Sequence, residues 1–141
     1  MTDAIFSFSQ NHVNLINAPD DSKAAILTNH SIKEFIFVTV FKGANILGIL
    51  GCRYLNARVC ELMAVPDVLN IRKYNKTFHK AVLGMLKKLI DKSSFRRFQL
   101  LVDVDFNEGQ RWARGLGFEY EATLKKYSEK GKDQFVYVRF K

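Results

Sequence analysis

Between Ile71 and Ile90 the apolar residues Ile71, Tyr74, Phe78, Val82, Met85 and Leu89 recur at intervals of three and four. This spacing predicts one long amphipathic helix, with Lys73, Lys76, Lys80 and Lys87 off its apolar stripe. Such a helix needs an apolar surface to cover, and the segments around it have the period of strands. Phe35–Phe41 (FIFVTVF) is β-branched and aromatic, and Asn45–Cys52 follows after Lys42-Gly43, which predicts an antiparallel pair. Val59–Val65 (VCELMAV) predicts a third strand, stopped by Pro66.

Beyond the helix the pattern offers a strand at Phe98–Val104, a short helix at Asn107–Gly115 and a turn at Gly117. A strand near Tyr120–Tyr127, a turn at Lys130-Gly131-Lys132 and a strand at Gln134–Phe140 complete it. The order predicts an α/β (mixed α+β) fold. Three antiparallel strands lead into a strand-helix-strand crossover that lays Phe98–Val104 parallel to the third, giving a mixed, mostly antiparallel central sheet with helices on both faces. The first 34 residues are less patterned: a short strand around Ala4–Phe8, and a helix through Ala24–Thr28 capped by Asp20 or Asp21.

A length of 141 residues suits one domain and buries enough surface to fold without a metal or disulfide staple. Apolar residues at 48% and aromatics at 13% exclude a disordered tail protein. The uncharged run Phe35–Phe41 is far shorter than the ~20 residues that span a bilayer, and no basic segment leads into an apolar core at the N-terminus. The expectation is a cytoplasmic protein without membrane insertion. Cys52 and Cys60 read as small core hydrophobes, cross-strand neighbours if the chain turns near Asn56. With His12, His30 and His79 scattered and no CxxC or HExxH spacing, no metal site is expected.

The charge is informative through its location. Nine basic residues and one acid lie between Arg72 and Arg97, while the other 13 basic and 13 acidic residues cancel, so one segment carries the net +8. A field concentrated in this way favours an anionic partner, either a phosphate-bearing small molecule, a nucleic acid or an acidic protein surface; a solvated helix face kept basic for solubility is the alternative.

The stretch from Phe35 to Lys141 resembles the GNAT-type N-acetyltransferases. That family follows a central strand with a loop of pattern Gln or Arg, two residues, Gly, one residue, Gly or Ala, and then a long helix. The counterparts are Val59–Val65, then Arg72-Lys73-Tyr74-Asn75-Lys76-Thr77, then the amphipathic helix. The family also carries an Asn at the start of the short helix and a Leu-Gly-Phe turn at its end, matched by Asn107 and Leu116-Gly117-Phe118, with two strands after them. The resemblance implies one GNAT-like domain over 1–141, with a short N-terminal region over 1–34, similar to the compact members carried by some tailed phages.

It also implies a co-substrate, acetyl-coenzyme A, and an amine as acceptor, whether a protein or a small molecule. Arg72, Lys73, Tyr74, Asn75, Lys76 and Thr77 would hold the pyrophosphate at the helix start, with Met63, Ala64 and Val65 of the strand and Asn107 along the pantetheine arm. Glu61, eleven residues before Arg72, matches a glutamate that serves as general base in protein-acetylating members. An acid inside the run Val59–Val65 also fits a carboxyl raised toward neutrality by burial, or one that faces solvent or pairs with Arg53 or Arg58. Two departures stand out. Asn75 and Thr77 fill the glycine positions, and Ala113, between Trp112 and Arg114, stands where the family has a tyrosine as general acid. Trp112, Tyr127 and Tyr137 read as core or strand-face residues, and Asp103 and Asp105 as loop solubility. Three functions follow: an acyltransferase acting by direct attack in a ternary complex, a binding or assembly protein that keeps the fold without the chemistry, and a nucleic-acid binder using the Arg72–Arg97 segment.

Overall fold

Alternation along the strands divides the apolar residues between two faces, and a single sheet buries both. The computed structural model describes residues 4–20, 22–23, 26 and 35–141. It comprises β1 (Ala4–Ser7), α1 (Gln10–Leu15), β2 (Phe35–Lys42), β3 (Asn45–Asn56), β4 (Val59–Pro66), α2 (Asn70–Lys92), β5 (Arg97–Asp103), α3 (Asn107–Gly115), β6 (Glu119–Leu124) and β7 (Gln134–Phe140). The strands form one seven-stranded sheet in the order β1-β2-β3-β4-β5-β7-β6. Every neighbouring pair is antiparallel except β4 and β5, which are parallel and joined by α2. The predicted crossover is therefore observed. The expected helix through Ala24–Thr28 falls largely outside the described residues.

On one face Val13 of α1 and Ile16 just after it pack with Phe37, Ile49 and Val65. On the other, Phe78, Ala81, Val82 and Leu86 of α2 pack with Val40, Cys60, Phe98 and Val102, while Ala113 and Leu116 bring α3 onto the same face. Burying a side chain such as Phe78 or Leu86 contributes about 2 kcal/mol. The distance of α2 from the sheet is set at Gly48, where an added Cβ would lie 2.7 Å from the Phe78 ring and 3.0 Å from the Val65 carbonyl oxygen.

Two strand ends differ from expectation by more than one residue, and local hydrogen bonds explain both. β3 runs on to Asn56 because the hairpin to β4 is tight, with the Asn56 side-chain oxygen accepting from the Arg58 amide at 2.8 Å. β6 stops at Leu124 because Lys126, at φ 53°, donates its amide to Asp133 at 2.8 Å and turns the chain. Tyr127 consequently lies in that turn, exposed, and not on a strand face.

Candidate functional site

The parallel pair is incomplete. β4 and β5 match at four positions, from Val59 opposite Arg97 to Leu62 opposite Leu100, and pair no further. Each strand continues with its other neighbour: β4 stays on β3 as far as Pro66, and β5 stays on β7 as far as Asp103. The sheet thus splays beyond Leu62, leaving the facing edges of Met63–Pro66 and Leu101–Asp103 without each other as partners. A cavity of about 650 Å³ opens on this gap, walled by Leu62 and Ala64 of β4, Leu100 of β5, Val82 and Leu86 of α2 and Trp112 of α3. Trp112 is half-buried and stacks on Phe78, with centroids 5.8 Å apart and rings 11° from parallel. It serves as a cavity wall rather than as closed core.

The start of α2 is anchored by a residue that pattern reading does not single out. Asp67 is 1% exposed. One carboxylate oxygen accepts the amides of Leu69 and Asn70 at 3.0 and 2.9 Å, and the other accepts the amide and side-chain nitrogen of Asn17 at 2.9 and 3.0 Å. Burial alone would raise its pKa, but these donors outweigh it and hold the carboxyl below the usual aspartate range. The same carboxylate thereby caps α2 and ties it to the segment after α1. The only sequence signal was an Asp just after the strand-stopping Pro66.

The expected open loop at Arg72–Thr77 is helical instead. Among the described residues, no positive φ occurs between Gly43 and Gly117, and without glycine at 75 or 77 the backbone follows the helix. The run is broken once, at Tyr74 (φ −119°, ψ 27°), so that a second helical stretch starts at Asn75 and has Asn75, Lys76 and Thr77 in its first turn. Tyr74 is half-buried, with the Lys42 and Lys73 ammonium groups 5.9 and 5.3 Å from its ring centre. Arg72, Lys73, Asn75 and Lys76 are exposed, and Thr77 is half-buried. Asn107 is the exposed first residue of α3.

Glu61 sits on the last but one of the paired β4–β5 rungs, opposite Gln99 and, across β3, Arg53. It is half-buried and accepts a hydrogen bond from Gln99 Nε2 at 3.2 Å. Gln99 in turn accepts from Arg97 Nε at 3.0 Å, and Arg97 forms a two-pronged pair with Glu121 at 2.7 and 2.5 Å. Cys60 and Leu62 belong to the α2 face, so alternation directs Glu61 to the opposite, α1-bearing face. Of the other expected contacts, Met63 and Ala64 line the cavity, while Val65 is buried against α1. Cys52 and Cys60 are free thiols at diagonal positions on β3 and β4. A hydrogen bond from Cys60 holds the Cys52 thiol below the ordinary range against the opposing effect of burial; that bond and burial push Cys60 up. Cys52 lines the cavity.

No protein-family model matches the chain, and no curated protein does. Solved structures do match. A chimera built on the spermidine N-acetyltransferase SpeG of Vibrio cholerae superposes at a TM-score of 0.76 with 11% identity, over 99% of this chain and 96% of that one. Ard1 from Thermoplasma volcanium gives 0.74 with 16% identity, over 98% and 97%. RimL, a ribosomal-protein α-N-acetyltransferase solved in complex with coenzyme A, gives 0.72 with 14% identity, over 95% and 91%. The chain has the GNAT fold. Its Leu116-Gly117-Phe118 turn closes α3 of this GNAT fold as a Schellman cap: the Phe118 amide donates to Ala113 at 3.1 Å and the Gly117 amide to Arg114 at 3.0 Å. Gly117 takes φ +89°, and Arg139 donates to the Leu116 carbonyl oxygen at 2.7 Å. Asp103 and Asp105 are not a matched pair within the GNAT cleft. Asp103 lines the cavity and accepts from Gln134 at 2.8 Å, while Asp105 is an exposed partner of Lys132 at 3.0 Å, which holds it below the usual range. Tyr137 is buried and accepts from Arg114 at 3.2 Å. No helix among the described residues is long and apolar enough to cross a membrane.

Proposed function

We propose that the protein is an N-acetyltransferase that moves acetyl from acetyl-coenzyme A to an amine by direct attack in a ternary complex. The observation that carries this is the parting of β4 and β5 beyond Leu62 and Leu100, with an apolar cavity beneath it, in a GNAT fold. The fit is chemical. A pantetheine arm is a chain of amides, and the unmatched backbone edge of Met63–Val65 offers it strand-like hydrogen bonds. Arg72, Lys73 and Lys76 stand around the restarted helix at Asn75–Thr77, where first-turn amides and positive charge suit a pyrophosphate. Asn107, at the start of α3, is assigned to the arm from the other side of the cleft. Spermidine and protein N-termini, the acceptors named for SpeG and RimL, are both amines.

Glu61 is the general base in this mechanism. It takes the proton that the amine loses as its nitrogen bonds to the acyl carbon, the carbon–sulfur bond breaks and the coenzyme leaves as its thiolate. Gln99, donating at 3.2 Å, orients the carboxylate on the α1-bearing face, so the amine enters from the side opposite α2. The coenzyme supplies the activated thioester.

A second reading is favoured by Ala113, which is fully buried and cannot return a proton to the leaving sulfur. The protein would then keep the fold as a binding or assembly factor. Calorimetric titration with acetyl-coenzyme A at moderate salt separates the two: one-to-one binding supports the enzyme, and absence of binding refutes it. Glu61→Gln should then lower turnover by ~10²-fold with coenzyme affinity unchanged. An unaltered pH–rate profile in that variant would assign Glu61 to structure.

A further inference from the structure

The cavity holds about 650 Å³ and is lined mostly by apolar side chains. At the splay it meets unmatched strand edges, where a polar arm finds hydrogen bonds. Leu50 and Cys52 lie beside Ala64 and Leu62 at the splay, and the cavity continues beneath the second half of α2, where Met85, Leu86 and Leu89 line it together with Lys88, Lys92 and Ser93. Met85, Leu86 and Leu89 give an amide almost nothing to bond with, so a pantetheine amide pushed against them would be desolvated without return. An apolar occupant has no such penalty, and an unfilled apolar cavity is itself destabilising.

We infer that the acyl pocket accepts chains longer than acetyl, with a medium-length, unbranched acyl thioester of coenzyme A as a substrate. The inference rests on the coenzyme site proposed above, because it takes the thioester to lie at the end of the splay. That point, the Leu62–Leu100 rung, adjoins Glu61 in sequence, and both of its side chains line the cavity. The chain lies on the α2 face, and Glu61 points to the other. Substrate and base therefore do not compete for space. Val82 and Leu89 are one helical stretch apart by roughly 10 Å. With carbon–carbon bonds of about 1.5 Å foreshortened by their angles, that path takes an octanoyl chain.

Titration of the whole protein with coenzyme A, acetyl-coenzyme A and octanoyl-coenzyme A tests this, read by calorimetry and by the fluorescence of Trp112, the single tryptophan. A fully buried methylene strengthens binding by about fourfold. Six added methylenes that are half buried should therefore tighten binding by about 60-fold over acetyl-coenzyme A. Met85→Trp, which fills the far half, should bring octanoyl-coenzyme A down to the affinity of acetyl-coenzyme A in the same variant, with a thermal melt showing that it folds. Leu89→Ala, which enlarges that half, should move the preferred chain to a greater length. If coenzyme A and acetyl-coenzyme A bind and octanoyl-coenzyme A binds no tighter, the long-chain pocket is refuted while the coenzyme site stands. The same holds if the octanoyl advantage survives in a folded Met85→Trp protein. Failure of all three to bind removes the coenzyme site and this pocket together.

Discussion

Replacing Asp67 by asparagine keeps the shape of the side chain and removes its charge. Each carboxylate oxygen now receives two N–H groups, from Leu69 and Asn70 on one side and from Asn17 twice on the other. An amide has one oxygen, so its NH2 group must face two donors with nothing to accept them. Two charge-assisted bonds at about 1.5–3 kcal/mol each are lost, and relaxation of the neighbours returns part of that. The expected destabilisation is about 3 kcal/mol, or about 10 °C in melting temperature for a chain of this size.

The pH dependence gives a second, independent reading. The donors hold the folded-state pKa of Asp67 below the ~3.9 of an unfolded aspartate. Its contribution is thus fully present above the unfolded value and lost as pH falls through the folded value. Urea unfolding of wild type and Asp67→Asn should differ by the full amount at pH 7, and the difference should shrink below about pH 4. A difference under about 1 kcal/mol at pH 7 would refute the donor count, given the per-bond range above. A difference that stays constant through the acid limb would refute the assignment to the charge. Because the carboxylate also sets where α2 begins, Asp67→Asn should weaken acetyl-coenzyme A binding even well below its melting temperature.

Three further outcomes follow from close approaches in the fold. Gly48→Ala places a Cβ 2.7 Å from the Phe78 ring and 3.0 Å from a backbone oxygen; it should cost about 1–3 kcal/mol, and a melt unchanged within error would show that α2 is free to shift. Gly117→Ala meets both a φ of +89° and the Arg139 guanidinium 3.2 Å away; a loss of about 1–2 kcal/mol is expected in denaturant unfolding, and a stabilised variant would contradict the Schellman geometry. In thiol alkylation followed by mass spectrometry, Cys52 should react before the buried Cys60 and be protected by acetyl-coenzyme A. Earlier labelling of Cys60, or no protection, would dissociate the cavity from the coenzyme site.

Local period determined most of the architecture. The β-branched and aromatic run FIFVTVF, the run VCELMAV stopped by Pro66, and the three-and-four spacing from Ile71 to Leu89 sufficed to predict β2, β4 and α2 in order, and β7 and α3 appear with the predicted ends. The Leu116-Gly117-Phe118 turn was legible because a positive φ leaves a chemical mark, a glycine, at one position. Parallel pairing of β5 with β4 followed from having one long helix between two strands.

What decided the site is carried by contacts between residues distant in sequence. Glu61 meets Gln99 across 38 positions and Asp67 meets Asn17 across 50, and no local pattern records either. The short span of β4–β5 pairing depends on each strand's outer neighbour, β3 or β7, continuing to hold it after the inner bonds end. Trp112 could be recognised as apolar from sequence but not as a cavity wall, since that depends on α3 and α2 closing on one face. Periodicity states which face of an element is apolar; only the assembled sheet, with its helices at fixed distances, decides which of those faces stay apart and leave room for a ligand.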